Sequence, residues 1–267
     1  MSPFLSRILV AVALLPVVIG LVYLGGWWLF GLTLVAGLVA LHELFRIARQ
    51  LGPLVPAGYL GFGLTLLGVQ LGGIEWMLGA MVSTLLLSFL FFGLSHERPS
   101  ATASFGATLL GVVWIGGGLG FVLSIRDIPE FGFWTVIAVL FTVFAGDTIA
   151  FFVGRALGRH PMAPAISPSK TWEGFVAGVL AATAAAFVIL YPDREAFLSI
   201  PESLAFGALV ALASVAGDLF ESAVKRDLAV KDSGRLLAGH GGMLDRIDAL
   251  LFAGPAAFFV ILAFGAG

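Results

Sequence analysis

Long apolar stretches, separated by short polar or glycine-rich breaks, fill nearly the whole chain. A helix needs about 20 apolar residues to cross a bilayer, so each stretch predicts one membrane-spanning helix. The predicted spans are 8–24, 27–45, 55–72, 76–94, 104–123, 132–153, 173–191, 203–221 and 249–266. The pattern therefore predicts an all-α polytopic integral membrane protein with about nine transmembrane helices.

Composition supports this fold class. Of the 267 residues, 60% are hydrophobic and 11% are charged, whereas soluble domains carry about 25% charged residues. The spans leave no room for a soluble domain. The chain has no cysteine, which excludes disulfides, thiolate nucleophiles and cysteine-based metal or iron–sulfur sites. The apolar run after Arg7 is interpreted as an uncleaved first helix, because further spans follow at once.

The distribution of cations predicts the orientation of the helices. With nine spans and a cytoplasmic N-terminus, only Arg126 and Arg194 fall outside. The cytoplasmic cations are then Arg7, Arg46, Arg49, Arg98, Arg155, Arg159, Lys170, Lys225, Arg226, Lys231, Arg235 and Arg246. This bias predicts that the protein lies in the cell (inner) membrane with the polar loops 154–172 and 222–248 on the cytoplasmic side.

Polar chemistry is concentrated in the second half of the chain. Residues 222–248 alone hold nine of the thirty Asp, Glu, Lys and Arg side chains. We therefore interpret 1–131 as a transmembrane scaffold of about five helices. Residues 132–267 are predicted to form a catalytic transmembrane region that includes the two cytoplasmic loops.

Two pairs of acids are spaced three residues apart. Asp245 and Asp248 lie where a loop becomes the last helix, and the spacing predicts that both project from one helical face. Carboxylates brought together in this way suit Mg²⁺, which is commonly bound by one or two carboxylates and substrate phosphates. Asp245 could instead be a capping acid near a helix N-terminus. Asp218 and Glu221 repeat the spacing, although Glu221 could simply pair with Lys225.

Asp147 lies within the sixth predicted span. An ionisable residue inside a membrane helix is a functional candidate and needs a partner. The alternative is a buried hydrogen bond between helices.

Lys170 lies in the segment SPSKTWEG, residues 167–174, at the start of the seventh predicted span. Ser169 or Thr171 could cap that helix, and Glu173 suits its first turn. A helix N-terminus beside a lysine and hydroxyl groups is suited to binding an anion. Lys170 could otherwise extend its amine to the membrane surface as an interfacial lysine.

Two histidines remain as candidates. His240 is flanked by Gly239, Gly241 and Gly242, which would let backbone N–H groups approach phosphate oxygens. A structural turn is the alternative. His42, with the adjacent Glu43, is interpreted as an interfacial cluster.

Together these segments resemble the phosphatidate cytidylyltransferase (CDP-diacylglycerol synthase) family. The resemblance covers LSRILVAVALLPVVIG, GDTIAFFVGRALGRH, SPSKTWEG, GDLFESAVKR and the long signature at 222–248. It implies a dimeric polytopic enzyme that converts CTP and phosphatidic acid into CDP-diacylglycerol and pyrophosphate. It also implies Mg²⁺, often with a monovalent cation such as K⁺, and membrane lipids rather than nucleic acid as partners.

The resemblance also implies roles for individual residues. A metal site would be formed by Asp218, Asp245 and Asp248, supported by Asp147. Phosphates would be held by Lys170, Lys225, Arg226, Lys231 and Arg246, while Ser169 and His240 would orient them. Further substrate contacts are expected at Ser167, Thr171, Asp232, Gly241 and Gly242.

Two other functions remain open at this point. A CDP-alcohol phosphotransferase would carry the acidic motif D-x2-D-G-x2-A-R, which this sequence lacks. A transporter would place its charges near the bilayer midplane on broken helices, whereas here they gather towards one face.

Overall fold

The structure is a computed structural model that describes residues 15–95, 100–234 and 241–265. Almost all of these residues are helical. The helices are α1 Leu15–Leu24, α2 Gly26–Ile47, α3 Val55–Leu94, α4 Ala101–Gly111, α5 Gly118–Arg126, α6 Gly132–Leu157, α7 Trp172–Leu190, α8 Ile200–Asp227, α9 Leu244–Ile247 and α10 Leu250–Ala263. A π-helical segment, Val112–Gly117, joins α4 to α5.

Within the described ranges, seven helical runs are long and apolar enough to cross a membrane. They are Gly26–Ile47, Val55–Leu94, Ala101–Arg126, Gly132–Leu157, Trp172–Asp193, Ile200–Asp227 and Leu244–Ala263. This confirms the predicted class, an all-α polytopic membrane protein. The count of nine stays a prediction, because part of the first predicted span lies outside the described residues and two predicted spans fall within α3.

Helix α3 turns back on itself at Gly73, where the backbone has φ 71° and ψ −159°. A Cβ added to Gly61 would lie 2.4 Å from Thr84 Oγ1, and one added to Gly68 would lie 2.7 Å from the Trp76 carbonyl oxygen. Residues on either side of Gly73 therefore pack against each other. The helix breaks at the Gly72-Gly73 pair, as the sequence predicts.

The chain divides into two compact units. Unit 1 contains the described residues up to Asp127 together with those of Val230–Ile247. Its core includes the fully buried side chains Leu41, Phe62 and Ile115, and α9 packs against α2. The loop segment 230–247 therefore packs with the N-terminal helices.

Unit 2 contains Ile128–Ala229 and the described residues from Asp248 onwards. Helices α6 and α7 pack closely because glycines line their interface. A Cβ on Gly178 would lie 2.9 Å from the Gly146 carbonyl oxygen, and one on Gly174 would lie 2.7 Å from that of Ala150. The predicted Gly174/Gly178 contact is thus confirmed as a small-residue helix interface.

A β-hairpin links α6 to α7, where the sequence predicts only a loop. Strand β1, Pro161–Ala163, pairs antiparallel with β2, Ser167–Thr171. Both strands are short and rich in proline and serine, which are poor strand formers. Their pairing fixes the position of the lysine that precedes α7.

Candidate active site

The β-hairpin and the start of α7 are joined by several hydrogen bonds. Thr171 is the N-cap of α7, and its Oγ1 accepts a bond from Gly174 N at 3.2 Å. The Glu173 carboxylate accepts bonds from the backbone N–H groups of Arg159 and His160 at 3.1 and 3.3 Å. It also contacts His160 Nδ1 at 2.6 Å. The predicted Thr171 cap is confirmed, and the following helix has a fixed starting point.

Lys170, the residue before this cap, forms an ion pair with Asp218 of α8. The two side chains are 23% and 33% exposed, so solvent and solutes can reach them. Lys170 is therefore held by a carboxylate, and the pair joins the β-hairpin to α8.

This ion pair lies in the wall of a cavity of about 590 Å³ within unit 2. Two kinds of residue line the cavity. The polar residues are Asp147, Arg155, Ser169, Lys170, Thr171 and Asp218. The apolar lining comes from Ala150, Phe151, Met162, Phe175 and Val215, with backbone at Gly154 and Gly174. Such a lining suits a substrate with both an anionic and an apolar part.

Three carboxylates of unit 2, those of Asp147, Asp218 and Asp248, lie close enough to repel one another. Lys170 attracts Asp147, and Lys225 attracts Asp248. Asp248 is 8% exposed and lies in the turn between α9 and α10. A cluster of like charges with cations nearby is the arrangement expected of a site that holds a metal and phosphates.

Glu221 and Lys225 form an i,i+4 ion pair on α8, with 2.5 Å between Oε2 and Nζ. Their side chains are only 2% and 13% exposed. The alternative considered for Glu221 is therefore confirmed. The pairing also places a buried cation within electrostatic range of Asp248.

Asp245 belongs to unit 1 and is held by backbone N–H groups. Its Oδ2 accepts a bond from Gly242 N at 2.7 Å, and both oxygens accept from Ser233 N, at 3.3 and 3.2 Å. Asp245 lies on α9, whereas Asp248 lies beyond its end. The two acids are thus not on one unbroken helix, as their spacing predicted, because α9 ends at Ile247.

Glu43, interpreted above as part of an interfacial cluster, is instead 4% exposed. Its Oε2 accepts bonds from Leu244 N at 2.9 Å and from Ser233 Oγ at 3.2 Å. His42 faces solvent and contacts Tyr59 Oη at 2.9 Å. A signal for Glu43 was present in the sequence, because it follows Ala40 by three residues on the buried face of α2.

The other predicted site residues differ in their surroundings. Ser167 pairs with Ala163 across the hairpin, and Arg226 donates from Nε to the Ile166 carbonyl at 3.2 Å. Gly241 has a positive φ of 76°, and Gly242 is buried. Exposed side chains are those of Lys231, Asp232 and Arg246. His240 lies outside the described residues.

Among the described side chains, no three of His, Asp or Glu are arranged around one point as metal ligands. The donor chemistry nevertheless fits Mg²⁺, which takes oxygen ligands and commonly needs only one or two carboxylates beside substrate phosphates. Asp218 and Asp248 in unit 2 supply such carboxylates.

The chain matches known proteins over nearly its whole length. A family model described as the cytidylyltransferase family matches residues 5–264. A phosphatidate cytidylyltransferase of Mycobacterium bovis is 36% identical over 251 residues, covering 85% of this chain and 78% of the relative. The phosphatidate cytidylyltransferase of Bacillus subtilis is 33% identical over 268 residues, covering 97% and 98%. That of Helicobacter pylori is 44% identical over 148 residues, covering 55% and 54%.

The match to the family model and to full-length relatives agrees with the motifs and with the membrane-spanning helices. The chain therefore belongs to the cytidylyltransferase family, and within it to the phosphatidate cytidylyltransferases, which are nucleotidyltransferases.

Proposed function

We propose that the cavity of unit 2 is where the cytidylyl group of CTP is transferred to phosphatidic acid, giving CDP-diacylglycerol and pyrophosphate. The observation that carries this proposal is the Lys170–Asp218 ion pair in the wall of a cavity of about 590 Å³. The ion pair offers a cation for phosphates and a carboxylate for a metal in one place. The names of the relatives support the choice of substrates.

The reaction requires one bond to form and one to break. A phosphate oxygen of phosphatidic acid attacks the α-phosphorus of CTP, and the bond from that phosphorus to the bridging oxygen of the β-phosphate breaks. The electron pair leaves with pyrophosphate. The attacking oxygen is already anionic near neutral pH, so the site needs no strong general base. Its task is to position the groups and to neutralise charge.

Lys170 and Lys225 are the cations best placed for this task. In the described residues each is held by a carboxylate of α8, Asp218 and Glu221 respectively. An incoming triphosphate competes with these carboxylates for the ammonium groups. Arg226, Lys231 and Arg246 supply further positive charge to the phosphates, and Ser169 and Thr171 supply hydroxyl groups beside Lys170.

The acids of the site complement these cations. Asp218, Asp245 and Asp248 would hold Mg²⁺, which when bound neutralises phosphate charge and polarises the phosphorus–oxygen bonds. Asp147 lines the same cavity as Asp218 and adds negative charge that favours a cation there. A monovalent cation such as K⁺ belongs to the same proposal.

The apolar part of the cavity lining suits the lipid substrate. Phe151, Phe175 and Val215 lie on three-helix walls formed by α6, α7 and α8. Apolar side chains next to a charged cluster would let the glycerol backbone and the first acyl carbons of phosphatidic acid lie beside its phosphate. CTP would then reach the same phosphate from the cytoplasmic side, and the enzyme would work as a homodimer.

A steric block of the cavity tests the proposal. Ser169 is exposed and lines the cavity, whereas Ala165 is exposed in the turn between the strands and does not line it. With labelled CTP, phosphatidic acid and Mg²⁺, the purified wild-type protein should form a liponucleotide and pyrophosphate. Ser169→Trp should lose most of this activity and Ala165→Trp should keep it. Equal activity of the two variants would place the reaction elsewhere.

A further inference from the structure

Glu43 is a buried carboxylate of α2 that does not line the cavity of unit 2. Burying a carboxylate is costly unless hydrogen bonds compensate for its lost hydration. Both bonds given for Glu43 come from the signature segment, at Ser233 and Leu244, 190 and 201 residues further along the chain. A carboxylate retained inside an apolar unit is thus committed to holding this segment.

The contacts of Glu43 form a network with Asp245. Ser233 donates its hydroxyl to Glu43 Oε2 and its backbone N–H to the Asp245 carboxylate. Gly242 N donates to Asp245, and Leu244 N donates to Glu43. The two acids therefore share Ser233 and bind the backbone on both sides of Met243.

The backbone of the segment also approaches Glu43 closely. A Cβ added to Gly234 would lie 2.2 Å from Glu43 Oε1, and one added to Gly242 would lie 2.5 Å from Oε2. Glycine at these two positions leaves the space that the carboxylate occupies. Shape as well as hydrogen bonding therefore fits Glu43 to residues 233, 234 and 242–244.

We infer that Glu43 is a positioning residue for the signature segment. By holding Ser233 and the Leu244 N–H, it fixes Asp245 in the orientation needed for phosphate and metal chemistry. This inference rests on the proposed function of Asp245. Only Oε2 carries the two bonds, while Oε1 is buried without a hydrogen-bond partner in the described residues. The role therefore needs an acceptor oxygen rather than a negative charge.

Variants at position 43 separate these requirements. Glu43→Gln keeps one acceptor oxygen for both donors, whereas Glu43→Ala removes it. Because residues that orient a metal ligand typically contribute 10–100-fold to activity, Glu43→Ala should lower turnover by roughly tenfold or more. It should also raise the Mg²⁺ concentration needed for half-maximal activity. Glu43→Gln should stay within about threefold of the wild type, and Ser233→Ala added to Glu43→Ala should cost little more, since the two residues share one bond.

Hydrogen exchange and a control variant separate positioning from general stability. Peptides covering 241–247 should exchange faster in Glu43→Ala, while peptides from α6 should not change. Thr33→Val alters another buried polar residue of α2, one that bonds only its own helix at Phe30, and should leave turnover and Mg²⁺ dependence unchanged.

Wild-type turnover in Glu43→Ala would overturn the inference, as would equal damage in Glu43→Gln and Glu43→Ala. If the wild-type protein formed no liponucleotide, the proposed function would fail. The exchange rates of residues 241–247 would then still decide whether Glu43 holds the segment.

Discussion

Two lysines of the candidate site are neutralised by carboxylates of the same helix. Asp218 pairs with Lys170 across two elements, and Glu221 pairs with Lys225 along α8. The Lys170 pair lies in the cavity wall and is partly exposed, whereas the Lys225 pair is buried. A substrate phosphate can therefore displace Asp218 from Lys170 more easily than Glu221 from Lys225. This leaves the Asp218 carboxylate available to a cation when substrate binds.

Removing one charge from the acidic cluster tests this exchange. Asp218→Asn should lower turnover by on the order of 10²-fold, because a group that stabilises charge in the transition state is lost. It should also raise the Mg²⁺ requirement. Asp245→Asn and Asp248→Asn should each remove most activity as well. Steady-state kinetics across a Mg²⁺ titration measures these effects, with the exposed Glu195→Gln as control. Near-normal turnover of all three variants at limiting Mg²⁺ would contradict the metal assignment.

The two basic residues around the β-hairpin should differ in importance. Lys170 lines the cavity and pairs with Asp218, whereas the Arg159 side chain is exposed and does not line it. Lys170→Ala should therefore reduce kcat/KM for CTP by on the order of 10²-fold, while Arg159→Ala should change it by no more than a few fold. Equal, mild effects on CTP kinetics would return Lys170 to the role of an interfacial lysine.

At the scale of the helices, hydropathy predicts where most elements lie but not how they are built. The start of α6 at Gly132 and the break at Gly73 agree with the apolar pattern. Helix α8 continues to Asp227, past the predicted end at 221, because its last turns are polar and are stabilised by the Glu221–Lys225 pair. A hydropathy pattern reports lipid contact, so it does not see a helix that extends into a charged region.

The β-hairpin between α6 and α7 could not be predicted for a related reason. Its residues have low strand propensity, and the pairing of Pro161 with Thr171 depends on neighbouring elements. Trp172 N donates to the His160 carbonyl at 3.0 Å, and Glu173 binds the backbone before β1. Contacts between the ends of the hairpin, rather than its own composition, stabilise it.

The close contact of α6 with α7 gives a prediction about stability. A Cβ on Gly178 would lie 2.9 Å from both Ala150 Cβ and the Gly146 carbonyl oxygen. Gly178→Ala should therefore destabilise the protein by about 1–3 kcal/mol through overpacking. Gly79→Ala, in a helix with open space around the glycine, should not. Thermal unfolding in detergent measures both, and an unchanged Tm for Gly178→Ala would contradict the close packing.

At the scale of the whole molecule, the sequence predicts the chemistry better than the assembly. The spacing of charged residues pointed to Asp147, Lys170 and Asp218, and the structure brings these together around one cavity. Glu43 was misread because a lone acid at the end of an apolar helix is usually interfacial. Its partners, Ser233 and Leu244, are separated from it by most of the chain. Only the folded chain reveals such a contact.

The orientation predicted from the cations can be measured directly, because the chain has no cysteine. Single cysteines at Gln50 and Ala165, both exposed, should react with a membrane-impermeant maleimide only from the cytoplasmic side. A cysteine at Glu195, in a predicted outer loop, should react only from outside. Labelling of Ala165→Cys from outside would overturn the cytoplasmic placement of residues 154–172.

Formation of CDP-diacylglycerol by the purified protein tests the central claim most directly. The protein in detergent, without any ion gradient, should convert CTP and phosphatidic acid into CDP-diacylglycerol and pyrophosphate in equal amounts. A chelator should abolish the reaction, added Mg²⁺ should restore it, and Asp218→Asn should show little of it. Gradient-driven solute uptake in vesicles without CTP consumption would contradict the claim, as would CTP turnover that is independent of phosphatidic acid.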